Sequence, residues 1–276
     1  MNINKKSSVS VVMITYGHEK FIAEAINGVL MQECEFDVEL IISNDYSPDN
    51  TDLVVKKIIE EHPNRNWIKY VKHKTNLGMM PNFIWALEQT KGKYIALCEG
   101  DDYWTDPLKL QKQVDFLEAN IDYSMCFHQV EITMANVSDY YSYPLPSSET
   151  LYLKDIIQKH YIPTCSLVFR SKFFSKGFPE WMVNSISGDI PLEILLASKG
   201  KAKYFPQKMA CYRRNEGGIT QSPIQLAKMR SGYIYMYSKL SKEIGFSHAI
   251  YLHYIVWRLK LGYLKIFFKR IKSFFR

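Results

Sequence analysis

Short apolar runs alternate with amphipathic stretches over the first third of the chain, the pattern of a parallel sheet covered by helices. Val9 to Ile14 is a β-branched run suited to a strand buried on both faces. In Lys20 to Met31 the residues Phe21, Ile22, Ala25, Ile26, Val29 and Leu30 recur at helical spacing. The pattern then predicts strands over Val38 to Ser43, Trp67 to Val71 and Lys93 to Cys98. Between them it predicts helices over Thr51 to Glu61 and Asn82 to Gln89. Asp106-Pro107 predicts a further helix start, with Asp as N-cap and Pro in the first turn.

The second half is less regular. Tyr123 to Val130, Thr164 to Phe169 and Ala202 to Phe205 read as strands, and Ile190 to Ser198 as a helix. Residues 136 to 149, rich in Ser, Tyr and Pro, read as a loop, and the pattern is helical from Pro223 to the end. The expected class is therefore α/β, and the strand order is not legible from the pattern. The expected organisation is one domain over 1–222, with halves 1–122 and 123–222, followed by a helical region over 223–276.

Composition narrows the class. A 47% hydrophobic and 14% aromatic chain of 276 residues can bury a large core, and 23% charged residues argue against disorder. The five cysteines are odd in number, scattered and without a CxxC pair, so they read as buried thiols of a reducing compartment. Met1 to Ser8 is too polar for a signal peptide, and no segment reaches the roughly 20 apolar residues of a membrane span. The expected location is the cytoplasm.

Polar and acidic residues gather where the predicted strands end. Thr15, Tyr16 and Gly17 follow the first, Asn44, Asp45 and Asp49 the second, and Glu99, Gly100, Asp101 and Asp102 the fourth. Ligands of open α/β sheets bind beyond the carboxyl ends of strands, so three such ends imply one site. Asp49 and Thr51 also suit helix capping. Adjacent carboxylates repel unless a cation joins them, and a hard divalent ion such as Mn2+ or Mg2+ held with phosphate oxygens answers that need. No P-loop, GxGxxG or zinc-spaced His/Cys cluster is present, and the seven scattered histidines read as structural or exposed.

These segments carry a resemblance. Ser10 to Tyr16 (S-V-V-M-I-T-Y), Ile42 to Thr51 (I-S-N-D-Y-S-P-D-N-T), Asn76-Leu77-Gly78 and Glu99 to Trp104 (E-G-D-D-Y-W) resemble the family 2 glycosyltransferases in order and spacing. The resemblance is strong over residues 8 to 120 and looser over 120 to 222. It implies a GT-A fold, a nucleotide-sugar donor and an inverting mechanism, as in members that build bacterial capsule or lipopolysaccharide. By that resemblance Thr15, Tyr16, Asn76 and Gly78 line the donor pocket, and Asp45 accepts from the base. Asp101 and Asp102 form the metal-binding motif, while Glu99 stands where many members have Asp. Asp189 matches the catalytic acid position, although Gly188-Asp189 replaces the usual Glu-Asp pair, and Glu193 one turn later is the second candidate base. Asp189 also reads as an N-cap, and Asn82 as a first-turn cap.

Cys211 to Thr220 resembles the segment that closes over the donor, with Arg213 or Arg214 to neutralise diphosphate and Asn215 where many members carry His. The missing Q-x-x-R-W pattern of processive synthases points to single-sugar addition to a glycan or lipid-linked acceptor, and a UDP-sugar is the favoured donor.

Net charge is +7, and residues 246–276 hold seven Lys or Arg with no Asp or Glu, so the tail accounts for the whole surplus. Arg258, Lys265, Lys269, Lys272 and Arg276 share a helical stripe among aromatics, the pattern of a helix on an anionic membrane surface. A helix packed on the domain is the alternative. Charge confined to one end argues against nucleic acid as the partner. Two further classes stay open at this point, a membrane-tethered nucleotide-sugar-binding protein without activity and a nucleotidyltransferase. Intact Asp45, Asp101, Asp102 and Asp189 oppose the first, and the lack of a Gly-rich basic loop after the first strand opposes the second.

Overall fold

The computed structural model describes residues 8–134, 143–214 and 223–274. Its first half holds β1 (Ser8–Thr15), α1 (Ile22–Leu30), β2 (Asp37–Asn44), α2 (Thr51–Glu61), β3 (Ile68–Lys72), α3 (Met79–Glu88), β4 (Tyr94–Leu97), β5 (Tyr103–Trp104) and α4 (Lys109–Ala119). The second holds β6 (Tyr123–Met134), β7 (Thr150–Leu151), α5 (Leu153–Gln158), β8 (Val168–Arg170), α6 (Asp189–Ala197), β9 (Lys201–Arg214), α7 (Pro223–Leu240) and α8 (Phe246–Phe274).

One sheet runs in the order β3-β2-β1-β4-β8-β6-β9-β5, with β7 added against β9. The strands β3, β2, β1 and β4 are mutually parallel. Past β4 the direction changes, because β8 pairs antiparallel with both β4 and β6, while β6 and β9 are parallel. The architecture is the expected α/β fold, a nucleotide-type parallel half flanked by helices and followed by C-terminal helices.

Side-chain alternation explains the two-sided burial. Val9, Val11 and Met13 of β1, Leu40 and Ile42 of β2, and Tyr94 and Ala96 of β4 join the core beneath α1, α2 and α4. Val12, Ile41, Ile95 and Leu97 join the opposite core, with Phe83, Ala86 and Leu87 of α3. Each such side chain contributes roughly 1.5–3 kcal/mol when fully buried, so both faces favour apolar residues and the strands read as continuous apolar runs. The sheet is continuous across residue 122, and Met236, Leu240, Ala249 and Leu252 of α7 and α8 enter the same core as Leu192 and Leu196 of α6.

Several boundaries differ from the sequence pattern. Thr164–Ser166 is a 3-10 turn and the strand is only Val168–Arg170. Ala202 to Phe205 is part of a 14-residue strand, since β9 runs on to Arg214 along β6. The helix expected at Asp106 begins at Lys109, because Asp106 Oδ1 accepts from the Leu108 amide at 2.8 Å and forms a turn first. Of the expected loop over 136–149, residues 135–142 lie outside the described residues and 143–149 have no strand or helix. Cys34 is half-buried, and the other four thiols are fully buried; all five are free.

Candidate active site

The carboxyl ends of β1, β2 and β4 converge through backbone bonds. The Asp45 amide donates to Thr15 O at 2.9 Å, and the Gly100 amide donates to Ile14 O at 3.0 Å. Thr15 is buried, with Oγ1 3.2 Å from His18 Nδ1, while Tyr16 stands half exposed beside it. The loops that leave β1 and β2 are tied together by Asp49. Its Oδ2 accepts from the Glu19 amide at 3.0 Å, and its Oδ1 accepts from the Thr51 amide and hydroxyl at 3.1 and 2.6 Å. This is the capping role expected for Asp49.

Asp45 is buried and both carboxylate oxygens are engaged. Oδ1 accepts from the Leu77 amide at 2.6 Å and Oδ2 from the Gly78 amide at 3.0 Å, while Asn76 Nδ2 donates to Asp45 O at 3.2 Å. Gly78 has φ +90°, a conformation in which side chains are strained, so glycine lets its amide turn toward Asp45. The Asn-Leu-Gly segment is thus folded around Asp45. Asn82, buried, binds Ser43 and His73 with Oδ1 at 2.5 and 3.1 Å, which pins α3 to the end of β2.

The acidic segment after β4 is held from below by Trp104, whose ring is buried and whose Nε1 donates to Cys165 O at 2.8 Å. The ammonium of fully buried Lys109 lies 4.0 Å from that ring centre. Burial pulls Lys109 down to about 8. Asp102 is fully buried; its Oδ1 accepts from the Arg213 amide at 2.8 Å, and among the described residues its Oδ2 has no hydrogen-bond partner. Burial, then the charge of Asp101, pushes Asp102 up to about 8. Burial and the charges of Asp101, Asp102 and Asp189 push Glu99 well above the carboxylate range.

These shifts describe a pocket of crowded negative charge, met by the Arg213 guanidinium and by His18 Nε2 at 3.9 Å from Asp101 Oδ2. An orphaned buried carboxylate oxygen among hard oxygen donors is a donor set that fits Mn2+ or Mg2+. Arg213 serves as a strut beside it. Its guanidinium donates to Asp101 O at 2.8 Å, pairs with Glu24 and lies 4.3 Å from the Tyr103 ring centre. Arg214 is exposed at the end of β9, and residues 215–220 of the expected closing segment, Asn215 included, lie outside the described residues.

Asp189 opens α6, and its charge is one of those that raise Glu99. Its Oδ1 accepts from Ser187 Oγ and from the Ile190 amide at 2.8 Å, which leaves Oδ2 outside these bonds; the N-cap of α6 is Gly188, so Asp189 is not the cap that its sequence position suggests. Glycine at 188 has a steric cause, because a Cβ there would lie 2.7 Å from Phe83 Cδ1. The larger residue usual in this pair would displace α3.

Two features escaped the sequence reading. His160 lies between Asp189 and Glu193, with Nε2 3.7 Å from Asp189 Oδ2 and Nδ1 3.5 Å from Glu193 Oε2. Histidines were read as structural because nothing local to residue 160 marks it; the contact joins positions about 30 apart. Tyr46 stands half exposed after β2 with φ +60°, a conformation uncommon for an aromatic residue. Its neighbour Asp45 was the visible signal, and the strain was not.

Comparison with known proteins matches these features. The family model described as glycosyl transferase family 2 matches residues 10–175. An uncharacterized protein of Mycobacterium tuberculosis is 35% identical over 215 residues, covering 78% of this chain and 61% of the relative. This chain therefore spans about three fifths of that relative's length. Among solved structures, Staphylococcus aureus TarS 1-349 in complex with UDP superposes with a TM-score of 0.65 at 17% identity, over 89% of this chain and 69% of that one. The mannosyltransferase PcManGT of Pyrobaculum calidifontis, in complex with GDP-Man and Mn2+, gives 0.63 at 16% identity, over 93% and 73%. At those identities the likeness is one of fold.

Proposed function

The chain belongs to glycosyl transferase family 2, and from that premise we propose that it is an inverting, metal-dependent glycosyltransferase. It transfers a single sugar from a nucleoside-diphosphate sugar, a UDP-sugar in the first instance, to a glycan or lipid-linked acceptor of cell-surface polysaccharide synthesis. The reading rests on one observation above the others: among the described residues Asp102 Oδ2 is buried without a hydrogen-bond partner, and the charges of Asp101, Asp102 and Asp189 all raise Glu99.

The division of labour follows. Thr15, Tyr16 and the loop folded around Asp45 by Asn76 and Gly78 form the wall for the nucleoside. Asp101 and Asp102 hold the divalent ion, which when bound supplies charge neutralisation to the departing diphosphate. Arg213, fixed at Asp101 and Asp102, adds positive charge on that side. Asp189 Oδ2 takes the proton from the acceptor hydroxyl as its oxygen attacks the anomeric carbon. The bond from that carbon to the diphosphate oxygen breaks, and its electron pair leaves with the nucleotide. Attack from the face opposite the leaving group inverts the configuration.

A thermal-shift series with UDP, GDP, CDP and dTDP, each with Mn2+, Mg2+ or chelator, tests the donor half. A nucleotide at about 100 times its dissociation constant adds roughly 2.7 kcal/mol, a clear rise in melting temperature. UDP with Mn2+ is expected to give that rise and UDP with chelator to give little. No shift with any nucleotide would remove the metal-diphosphate site.

The lipid-linked acceptor draws support from α8. One of its faces packs on the domain through Ala249, Leu252 and Val256, and the other leaves Phe246, Ile250, Tyr254 and Trp257 exposed. These four step by four, four and three residues, so they share a stripe. Arg258 lies beside it, and the basic positions from Lys265 onward lie outside the described side chains. No helix among the described residues is long and apolar enough to cross a membrane. A peripheral position on the anionic cytoplasmic face suits this helix, with each basic residue worth about 1 kcal/mol near such a surface. Cosedimentation with phosphatidylglycerol vesicles, weak on phosphatidylcholine and reduced in Trp257→Ser, is expected. Equal binding to both lipids would remove the membrane from the proposal.

A further inference from the structure

The imidazole of His160 sits at an angle that the donor site does not explain. Asp189 Oδ2 approaches Nε2 at 3.7 Å and Glu193 Oε2 approaches Nδ1 at 3.5 Å, so the two carboxylates flank opposite nitrogens of one ring. One donor atom of each of the three groups lies within 4.8 Å of the others, close enough to share an ion, and with a carboxylate at each nitrogen the imidazole also bridges them directly. Glu193 is buried to 2% exposure, and among the described residues its Oε1 has no hydrogen-bond partner. An acid in that position is costly unless a cation lies against it, and His160 is the cation within reach.

We infer that His160, anchored by buried Glu193, is a positioning residue that orients the Asp189 carboxylate for proton abstraction. The inference rests on the reading of Asp189 as the base. Ser187 and the Ile190 amide hold Oδ1, and the imidazolium stands beside Oδ2, so the carboxylate is fixed at both ends. Other charged and titratable groups surround the trio. Glu99 adds negative charge from the end of β4, the Tyr143 ring lies tilted with its centre 5.7 Å from that of His160, and Tyr233 and Tyr237 of α7 feel the charge of Asp189. Burial lowers the imidazole, yet Glu193 and Asp189 outweigh it and raise His160 to about 9. Burial lifts Glu193 to about 7 against the pull of His160.

Two measurements decide the matter. In a histidine NMR titration of the whole chain, the resonance missing in His160→Gln identifies the residue without any substrate. It is expected to titrate near pH 9, and to fall back toward the ordinary imidazole value of about 6.5 in Glu193→Gln. A wild-type midpoint at or below the ordinary value overturns the bridge. The second measurement is the pH profile of donor hydrolysis, using the nucleotide sugar that gives the largest thermal shift. His160→Gln is expected to lose about ten- to a hundredfold in kcat with the donor KM kept. Wild-type kcat is expected to fall as pH rises through about 9, where His160 loses its proton, and that basic limb is expected to be absent from His160→Gln. Glu193→Gln repeats the loss of kcat if His160→Gln folds poorly, and retention of the UDP–Mn2+ thermal shift reports folding in both. An inactive Asp189→Asn with unchanged kcat in the His160 and Glu193 variants overturns this inference alone. An active Asp189→Asn overturns the base assignment beneath it.

Discussion

Asp189→Asn is expected to lower kcat by about a hundred- to ten-thousandfold while leaving the UDP–Mn2+ thermal shift and the donor KM in place. The substitution is nearly isosteric. An asparagine Oδ1 can still accept from Ser187 and from the Ile190 amide, so the start of α6 keeps its local bonds. What disappears is the oxygen that takes the acceptor proton. Loss of turnover with binding intact is the pattern of an interaction made only in the transition state. Steady-state kinetics beside a melting curve checks it, and a variant within threefold of wild type would reduce Asp189 to a local support for the start of α6.

That prediction draws on residues whose legibility differed widely. The nucleotide half could be read because its signals are local. A strand buried on both faces prints as an apolar run, and the polar residues that end it stand next to it in sequence, as with Thr15 after β1 and Asp102 after β4. The helix over Thr51 to Glu61 was read to its last residue for the same reason, an amphipathic pattern entered through a turn rich in Asn and Asp. The second half hides because its structure is paid for at long range. The β9 strand extends to Arg214 only by lying along β6, and nothing in Pro206-Gln207-Lys208 suggests a strand. The two-residue strands β5 and β7 exist by pairing with β9 alone. His160 belongs to the same class: its neighbours in the chain are unremarkable, and its partners arrive with a helix about 30 residues later. Arg213, expected to meet the diphosphate, has its guanidinium bonded to the Asp101 carbonyl and to Glu24, contacts that span more than 100 positions and that no local pattern announces.

The acidic motif makes the opposite kind of prediction, one in which losing function gains stability. Asp102 has its ordinary value of 3.8 in the unfolded chain and about 8 in the folded one, raised by burial and by Asp101. The folded state therefore binds that proton more tightly. The sign follows directly: stability linked to Asp102 is full below the unfolded value, and it is lost progressively as pH rises from about 4 to about 8. Metal-free protein is expected to melt at lower temperature at pH 8 than at pH 6, with Mn2+ reversing the loss. In Asp102→Asn the Oδ1 acceptor for the Arg213 amide survives and the buried charge does not. The variant is expected to melt several degrees above the metal-free wild type at pH 8, at roughly 2–4 °C for each kcal/mol recovered. It should also respond neither to Mn2+ nor to UDP with Mn2+, and its transfer activity should fall by at least about a hundredfold. A residue kept for packing behaves otherwise, because truncating it lowers the melting temperature. A folded, metal-blind, inactive and more stable Asp102→Asn would show that this buried carboxylate is held against the interest of the fold, as groups that bind ligands are. A variant that melts lower than wild type at every pH would make Asp102 a support for β9 and move the ion, if there is one, to Asp101 and Glu99.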